Sequence, residues 1–350
     1  MTGRAATFRR RLLSWYDANR RDLPWRSASG AHPDPYVVLV SEVMLQQTQV
    51  ATVIPYFVRF VKEFPTVRHL AAADEQRVLR AWQGLGYYSR ARNLRRAAQC
   101  IVQEFDGCVP ADPTALRSLP GIGRYTAGAI ASLAFGRRHP VLDGNVTRAL
   151  CRLDMIKSDP RSRSTVEQLW RRAEALLPDD RVGDFNSALM ELGATVCTPR
   201  NPNCADCPVR AHCMALAAGA VDRVPAPRRR PPTPVVRRTV TCLRNRGSYL
   251  LEQRPPAGRW AGLWQFPTTA ASSAKGCGPR LGVIEHALTH RRYRFEVFHC
   301  QAASRLDHRP HRPHAWIRLS ELSEYPLPKP HLLVAKMLES LGGADCPRVG

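Results

Sequence analysis

Leu119-Pro-Gly-Ile-Gly-Arg-Tyr-Thr-Ala127 lies between two stretches in which apolar residues recur at spacings of three and four. Gly121 and Gly123 permit a tight turn, and the second helix is expected to begin near Arg124. Backbone N–H groups in such a turn, backed by a helix N-terminus, bind phosphate without reading base sequence. Outward from this hairpin, residues from about 7 to 216 keep a helical period broken by short Gly/Pro turns. Asp34-Pro35 reads as the cap and first-turn proline of a helix through Val37, Val38, Val40, Val43 and Met44 that ends near Leu45. Gln46-Gln47-Thr48 is the expected turn into a helix through Val53, Ile54, Phe57, Val58 and Val61. Further helices are expected near 74–82, 89–104, 112–118, 125–135, 144–155, 164–176 and 184–194.

The chain has 350 residues, enough for two domains with cores of their own. Its net charge is +23, almost all from arginine; the only lysines are Lys62, Lys157, Lys275, Lys329 and Lys336. Arginine donates two parallel hydrogen bonds to a phosphate, so the excess points to a nucleic-acid partner. No stretch approaches the roughly 18 to 20 apolar residues of a membrane span, and Met1–Tyr16 lacks the apolar centre of a signal peptide. A soluble, reducing setting is expected.

Composition changes between Asp222 and Arg238, where Pro225, Pro227, Pro231, Pro232 and Pro234 surround Arg228-Arg229-Arg230. This reads as a stiff basic linker. Beyond it, strands are expected at Val235–Leu243, Tyr249–Gln253, Leu263–Pro267 and Tyr293–Cys300, with a helix at Pro330–Leu341, giving a smaller α+β domain.

Cys197, Cys204, Cys207 and Cys213 are separated by six, two and five residues. Four thiolates in so short a run can converge on one metal centre. The remaining cysteines are scattered and the total of 11 is odd, unlike a secreted disulfide scaffold. Zinc sites usually show two Cys-x-x-Cys pairs and only Cys204 and Cys207 form one, so the spacing favours a [4Fe–4S] cluster and leaves zinc open.

Two carboxylates stand out. Glu42 closes an apolar helix among Val40, Val43 and Met44, where partial burial would raise its pKa; the alternative is a solvated helix-end glutamate. Asp143, in Val141-Leu-Asp-Gly-Asn-Val-Thr-Arg148, precedes a helix and reads as its N-cap, a role compatible with presenting its other oxygen to a ligand. One protonated and one ionised carboxyl are what cleavage of a glycosidic bond requires.

Together, Glu42 in SEVMLQQTQV, the LPGIGRYTAGAI hairpin, Asp143 in LDGNVTR and the four cysteines closely resemble the adenine DNA glycosylases of the MutY type, within the helix-hairpin-helix base-excision superfamily. The likeness extends to Leu23-Pro-Trp-Arg26, Gly84-Leu-Gly-Tyr-Tyr-Ser-Arg90, Phe185-Asn186 and Trp260-Ala-Gly-Leu-Trp-Gln-Phe-Pro267. It implies an all-α glycosylase domain over residues 1–220, with the hairpin at about 113–136 and a [4Fe–4S] loop at 197–213. A linker at 221–234 and a Nudix-like, 8-oxoguanine-recognising α+β domain at 235–345 follow. The implied partner is double-stranded DNA with adenine opposite 8-oxoguanine or guanine, bound by a monomer in the bacterial cytoplasm, at the nucleoid.

By the family pattern, Glu42 protonates N7 of a flipped-out adenine and Asp143 stabilises the oxocarbenium-like sugar. Tyr125 and Asn145 hold Asp143 and the sugar; Trp25 and Arg26 line the pocket. Bifunctional relatives resembling endonuclease III carry a lysine at the place of Tyr125, so a monofunctional enzyme that leaves the strand uncut is implied. Gln47, Thr48, Leu85 and Tyr87 match the positions that wedge the duplex, with one of Tyr87 and Tyr88 expected in the core. Gly121 and Gly123 of the hairpin contact phosphate, Arg200 of the cysteine loop can reach it, and Arg90, Arg92, Arg95 and Arg96 are further candidates.

Leu288-Thr289-His290 corresponds to a family Phe-Ser-His loop, where the Thr289 hydroxyl keeps a hydrogen bond to 8-oxoguanine and Leu288 loses a ring. The Nudix Arg-Glu-x-x-Glu-Glu box is missing, so no pyrophosphatase activity is expected. Ser187 stands where many relatives carry Gln or Glu near the adenine edge. A thymine or uracil mismatch glycosylase shares the hairpin, Asp143 and Tyr125, but would not be expected to keep Glu42 in this context or an 8-oxoguanine reader. A non-catalytic iron–sulfur DNA-binding protein would have lost Glu42 or Asp143.

Overall fold

The computed structural model describes residues 2–27, 32–226, 232–270, 278–288, 291–302 and 312–342. Two compact units emerge: residues 1–72 with 96–229, and residues 73–95 with 230–350. The sequence suggested no such regrouping of residues 73–95.

The first unit contains α1 (Thr2–Asn19), α2 (Pro35–Leu45), α3 (Val50–Glu63) and α4 (Val67–Ala72). α5 (Glu75–Ala81) and the start of α6 (Ser89–Glu104) belong to the second unit. The first resumes in α6 and continues through α7 (Pro113–Ser118), α8 (Arg124–Leu133), α9 (Gly144–Leu153), α10 (Arg163–Leu176), α11 (Val182–Thr195) and the short α12 (Met214–Ala217). The α2 start follows its local chemistry: the Asp34 side chain accepts from the N–H groups of Tyr36 and Val37, ahead of Pro35. α11 packs against α1, α8 and α9, burying Phe8, Leu12, Val146, Leu150, Phe185, Leu189 and Leu192 in one core. Gly193 makes this approach possible, since a Cβ there would lie 2.6 Å from the Asn145 Cβ.

The second unit is built on β1 (Val235–Asn245), β2 (Ser248–Gln253), β3 (Trp264–Gln265), β4 (Thr268–Ala270), β5 (Arg280–Leu288), β6 (Arg291–Gln301) and β7 (His314–Ile317), closed by α13 (Lys329–Gly342). The order β3-β2-β1-β6-β5 places β1 parallel to β6, with Val240 opposite Val297. The other pairings are antiparallel, Ile284 facing Phe295 across β5 and β6. Val240, Leu251, Phe266, Phe295, Val297, Leu327 and Val334 form its core. The expected strand at Leu263–Pro267 shrinks to two residues, and β5 and β7 were not read from the sequence; β5 alternates weakly because only Ile284 on it is buried. The Arg228-Arg229-Arg230 stretch lies outside the described residues.

Candidate active site

The α2, α8 and α9 helices of the first unit bring Glu42, Tyr125 and Asp143 to one pocket of about 850 Å³. Glu42, 5 % exposed on the last turns of α2, is buried as its apolar neighbours predict. Burial pushes its carboxyl up to about 7; a hydrogen bond from Tyr125 opposes this and the Asp143 charge adds to it. Tyr125 Oη donates to Glu42 Oε2 at 2.7 Å. The expectation that Tyr125 holds Asp143 is therefore corrected, because α8 places the phenol beside the α2 carboxylate. The Tyr125 hydroxyl also meets Met190 Sδ at 3.4 Å, and burial raises its pKa well above the ordinary phenol value.

Asp143 caps α9 as its sequence context allows, and its second oxygen is held by a neighbouring amide. Oδ1 accepts the Val146 N–H at 2.7 Å and caps α9, while Oδ2 accepts Asn145 Nδ2 at 3.1 Å. Burial raises its pKa, and these donors with the nearby Arg148 charge work against that rise. Arg148 extends the network: Nη2 donates to Asn145 Oδ1 at 2.9 Å and Gly193 O at 2.6 Å, and Nε to Cys197 O at 2.7 Å.

Trp25 and Arg26 line the pocket as expected, and so do Gln47 and Thr48. Trp25 stands edge-on to Phe57 with ring centroids 5.2 Å apart. Arg26 is held by an anchor the sequence reading missed: Glu191, 1 % exposed, accepts Arg26 Nη2 at 2.8 Å and Arg21 Nε at 2.5 Å. Burial alone would raise the Glu191 pKa, but the two guanidiniums outweigh it and hold the carboxyl below its ordinary value. A signal existed, since Glu191 follows Ser187 by four residues and so shares its face of α11. Both line the pocket. Gln47 has a left-handed backbone, φ 56°, in the turn after α2.

The hairpin forms as read. Gly121 needs its positive φ of 81°. Gly123 is different: its backbone is ordinary and a Cβ would meet nothing within 4 Å, so its bareness keeps the surface open at the α8 N-terminus.

Cys197, Cys204, Cys207 and Cys213 line one small cavity with Arg152, whose Nη1 donates to Cys197 Sγ at 3.3 Å and Thr198 O at 2.7 Å. The four thiols are unbridged, so the set fits a thiolate-bound group. Among the described residues, no three Cys, His, Asp or Glu side chains converge as a single-ion site. Arg200 is exposed in the adjoining loop.

In the second unit, Gly84 and Gly86 take positive φ of 99° and 79° in the turn that presents Tyr87, 45 % exposed at φ 47°. Leu85 is 6 % exposed, so its side chain is packed inside rather than presented. Tyr88 is the buried member of the tyrosine pair. Arg90, Arg92 and Arg95 are engaged internally: Arg90 donates to Gly86 O at 3.2 Å, Arg92 to Ala261 O at 2.6 Å and Arg95 to Ala73 O at 2.6 Å. Each therefore has a structural role within the second unit. Thr289 and His290 lie outside the described residues.

The model of the HhH-GPD superfamily base excision DNA repair proteins matches residues 40–175, and the NUDIX domain model matches residues 239–337. The adenine DNA glycosylase of Mus musculus is 38 % identical, covering 83 % of this chain and 70 % of its own length. That of Mycolicibacterium smegmatis is 46 % identical over 59 % of this chain and 69 % of its own. The chain belongs to the adenine DNA glycosylase family. The human member is 39 % identical over 83 % of this chain, which spans 66 % of that protein's length. Among solved structures, a thermostable thymine-DNA glycosylase superposes with a TM-score of 0.56 at 29 % identity, over 61 % of this chain and 97 % of its own. An endonuclease III–DNA covalent intermediate matches with a TM-score of 0.52 at 22 % identity, over 61 % and 96 %, and shares the fold.

Proposed function

We propose that this protein is a monofunctional base-excision glycosylase that hydrolyses the N-glycosidic bond of adenine mispaired with 8-oxoguanine or guanine. The observation that carries the reading is the pair of unlike carboxylates in one pocket, Glu42 poised near 7 and Asp143 held by N–H donors. Glu42 passes its proton to adenine N7, and the electron pair of the C1′–N9 bond leaves with the base. The Asp143 carboxylate faces the positive charge that develops on the sugar. Water adds at C1′ and leaves an abasic site. The Glu191 anchor fixes Arg26, and with it one wall of the base pocket.

No lysine lines the pocket among the described residues, and the phenol at position 125 forms no Schiff base, which supports base release without strand cleavage. The 8-oxoguanine preference rests on the Nudix-like domain and on Thr289 of the sequence motif. The four cysteines would hold a [4Fe–4S] group, whose part is to fix the loop from Thr198 to Asn203. Four thiols around one cavity support a thiolate-bound group there, and their spacing of six, two and five residues favours a cluster over zinc.

The test is adenine release from a duplex with adenine opposite 8-oxoguanine, with and without alkali, for the wild type, Glu42→Gln and Asp143→Asn. Breaks only after alkali, lost in both variants by about a hundredfold or more, are expected. Strand cleavage without alkali, or covalent trapping by borohydride, refutes the monofunctional assignment. Release of thymine or uracil from mismatches in place of adenine would select the thymine-type alternative.

A further inference from the structure

The Tyr125 hydroxyl carries one hydrogen and, among the described residues, faces two acceptors. Glu42 Oε2 lies 2.7 Å away and Met190 Sδ 3.4 Å away. Which of them takes the hydrogen depends on the charge of Glu42. An ionised carboxylate only accepts, and its charge makes it much the stronger acceptor, so the phenol donates to Oε2. A carboxyl protonated on Oε2 is itself a donor. The phenol oxygen can take that hydrogen once its own O–H has turned away, and the thioether sulfur, a weak acceptor, is where it can turn.

The packing of α8 on α11 fixes this arrangement. Met190 shares a face of α11 with Ser187 and Glu191, and all three line the pocket. Away from the pocket, α11 is clamped onto α8, the helix that carries Tyr125. A Cβ on Gly183 would stand 2.7 Å from Ser132 O, so the helices touch there backbone to backbone. Asn186, of the Phe185-Asn186 pair, donates to Ser132 Oγ at 2.9 Å and to His139 O at 2.8 Å. The sulfur is thus kept within reach of the phenol by bonds that the substrate does not touch. The other groups acting on Glu42 are Asp143 from the start of α9 and Arg26 from the segment after α1, the latter paired with Glu191 of α11. α3 also packs on α2, and its charged residues Arg59, Lys62 and Glu63 are not among the groups that act on Glu42.

We propose that Met190 is a positioning residue for the catalytic acid. Its sulfur takes the Tyr125 hydrogen while Glu42 carries its proton, and gives it up to Glu42 Oε2 as that proton passes to adenine N7. This rests on the reading of Glu42 as the acid given above. One proton leaves Glu42 and arrives on N7; Tyr125 keeps its own hydrogen, which only turns about the C–O bond. A weak bond to sulfur is exchanged for a charge-assisted bond to a carboxylate, so the phenol holds Glu42 more strongly after the transfer than before it. An interaction that strengthens along the reaction lowers the barrier.

The experiment uses the full chain with Met190→Leu, and with Met190→Ile as a second sulfur-free shape, each alone and combined with Tyr125→Phe. These swaps keep the volume of the site nearly constant, and thermal melting checks that each variant is folded. Single-turnover adenine release is followed across pH with the duplex bound. Without the sulfur, the protonated state of Glu42 loses a hydrogen bond that the ionised state never used, so its pKa falls. The alkaline limb should therefore move down by about half to one pH unit, the scale of one weak hydrogen bond. In the Tyr125→Phe background, where no hydroxyl is left to turn, the same changes at position 190 should leave the limb in place. A limb that stays put or moves up when the sulfur is removed overturns the proposal. An equal downward move in both backgrounds overturns it too, because the sulfur would then act on Glu42 by packing alone. A wild type without an alkaline limb, or a limb that Tyr125→Phe does not move, removes the reading of Glu42 and the proposal together.

Discussion

Replacing Tyr125 by phenylalanine isolates the term that opposes protonation of Glu42. The phenol donates to Glu42 Oε2 at 2.7 Å and so favours the ionised carboxyl, while burial favours the neutral one and sets the pKa at about 7. A hydrogen bond to a charged group is worth about 1.5–3 kcal/mol, and each pKa unit is about 1.4 kcal/mol, so Tyr125→Phe should raise the Glu42 pKa by about one to two units. At pH 8 roughly one tenth of the wild-type carboxyl carries its proton; in the variant about half or more should. If Glu42 is the acid, the alkaline limb of adenine release moves up by one to two pH units, whatever happens to the maximal rate. The assay is single-turnover release between pH 5.5 and 9.5 under conditions where the duplex stays bound. An alkaline limb that stays in place would refute the reasoning: either Glu42 is not the titrating acid or its protonation does not depend on the Tyr125 bond.

Two further outcomes follow from buried groups. Glu191→Gln should slow adenine release by about tenfold or more and lower stability by about 2 kcal/mol, because the half-buried Arg26 and the partly exposed Arg21 lose their buried counter-charge; release kinetics and denaturant unfolding check it. Its folded pKa is depressed, so this stabilisation is present above the unfolded glutamate pKa and is lost as pH falls through the folded value. His331 is fully buried against Phe266 and Phe295, neither ring nitrogen has a hydrogen-bond partner among the described residues, and burial pushes its pKa down to about 3. The unfolded chain binds this proton first, so the second unit should weaken as pH drops from about 6.5 towards 3. His331→Phe should flatten that acid slope and raise the melting temperature, read by thermal unfolding across pH.

Several parts of this protein were legible because their signals are local. A three-to-four spacing declares a helix, Asp34-Pro35 declares its start, and Gly121 declares a positive-φ turn; each depends on neighbours within one turn of chain. The burial of Glu42 followed from Val40, Val43 and Met44 around it, and the run of cysteines from its spacing alone. Arginine was harder to read. Arg90, Arg92 and Arg95 have the composition of a phosphate-binding face, yet their heads lie on carbonyls of the same unit, and charge patterning does not distinguish a bond to phosphate from one to a buried carbonyl.

The sequence by itself determined a helical domain built around a phosphate-binding hairpin, an α+β domain after a basic linker, and the two carboxylates of a glycosidic site. Only the tertiary structure decided that Tyr125 serves Glu42 rather than Asp143, that Glu191 anchors Arg26, and that residues 73–95 belong with the C-terminal sheet. The partners in the first two cases are 83 and 165 residues apart along the chain, and those in the third, such as Gln76 and Gly262, 186 apart. No period or motif reaches that far, because such contacts are selected by the packing of whole elements and not by the chemistry of adjacent residues.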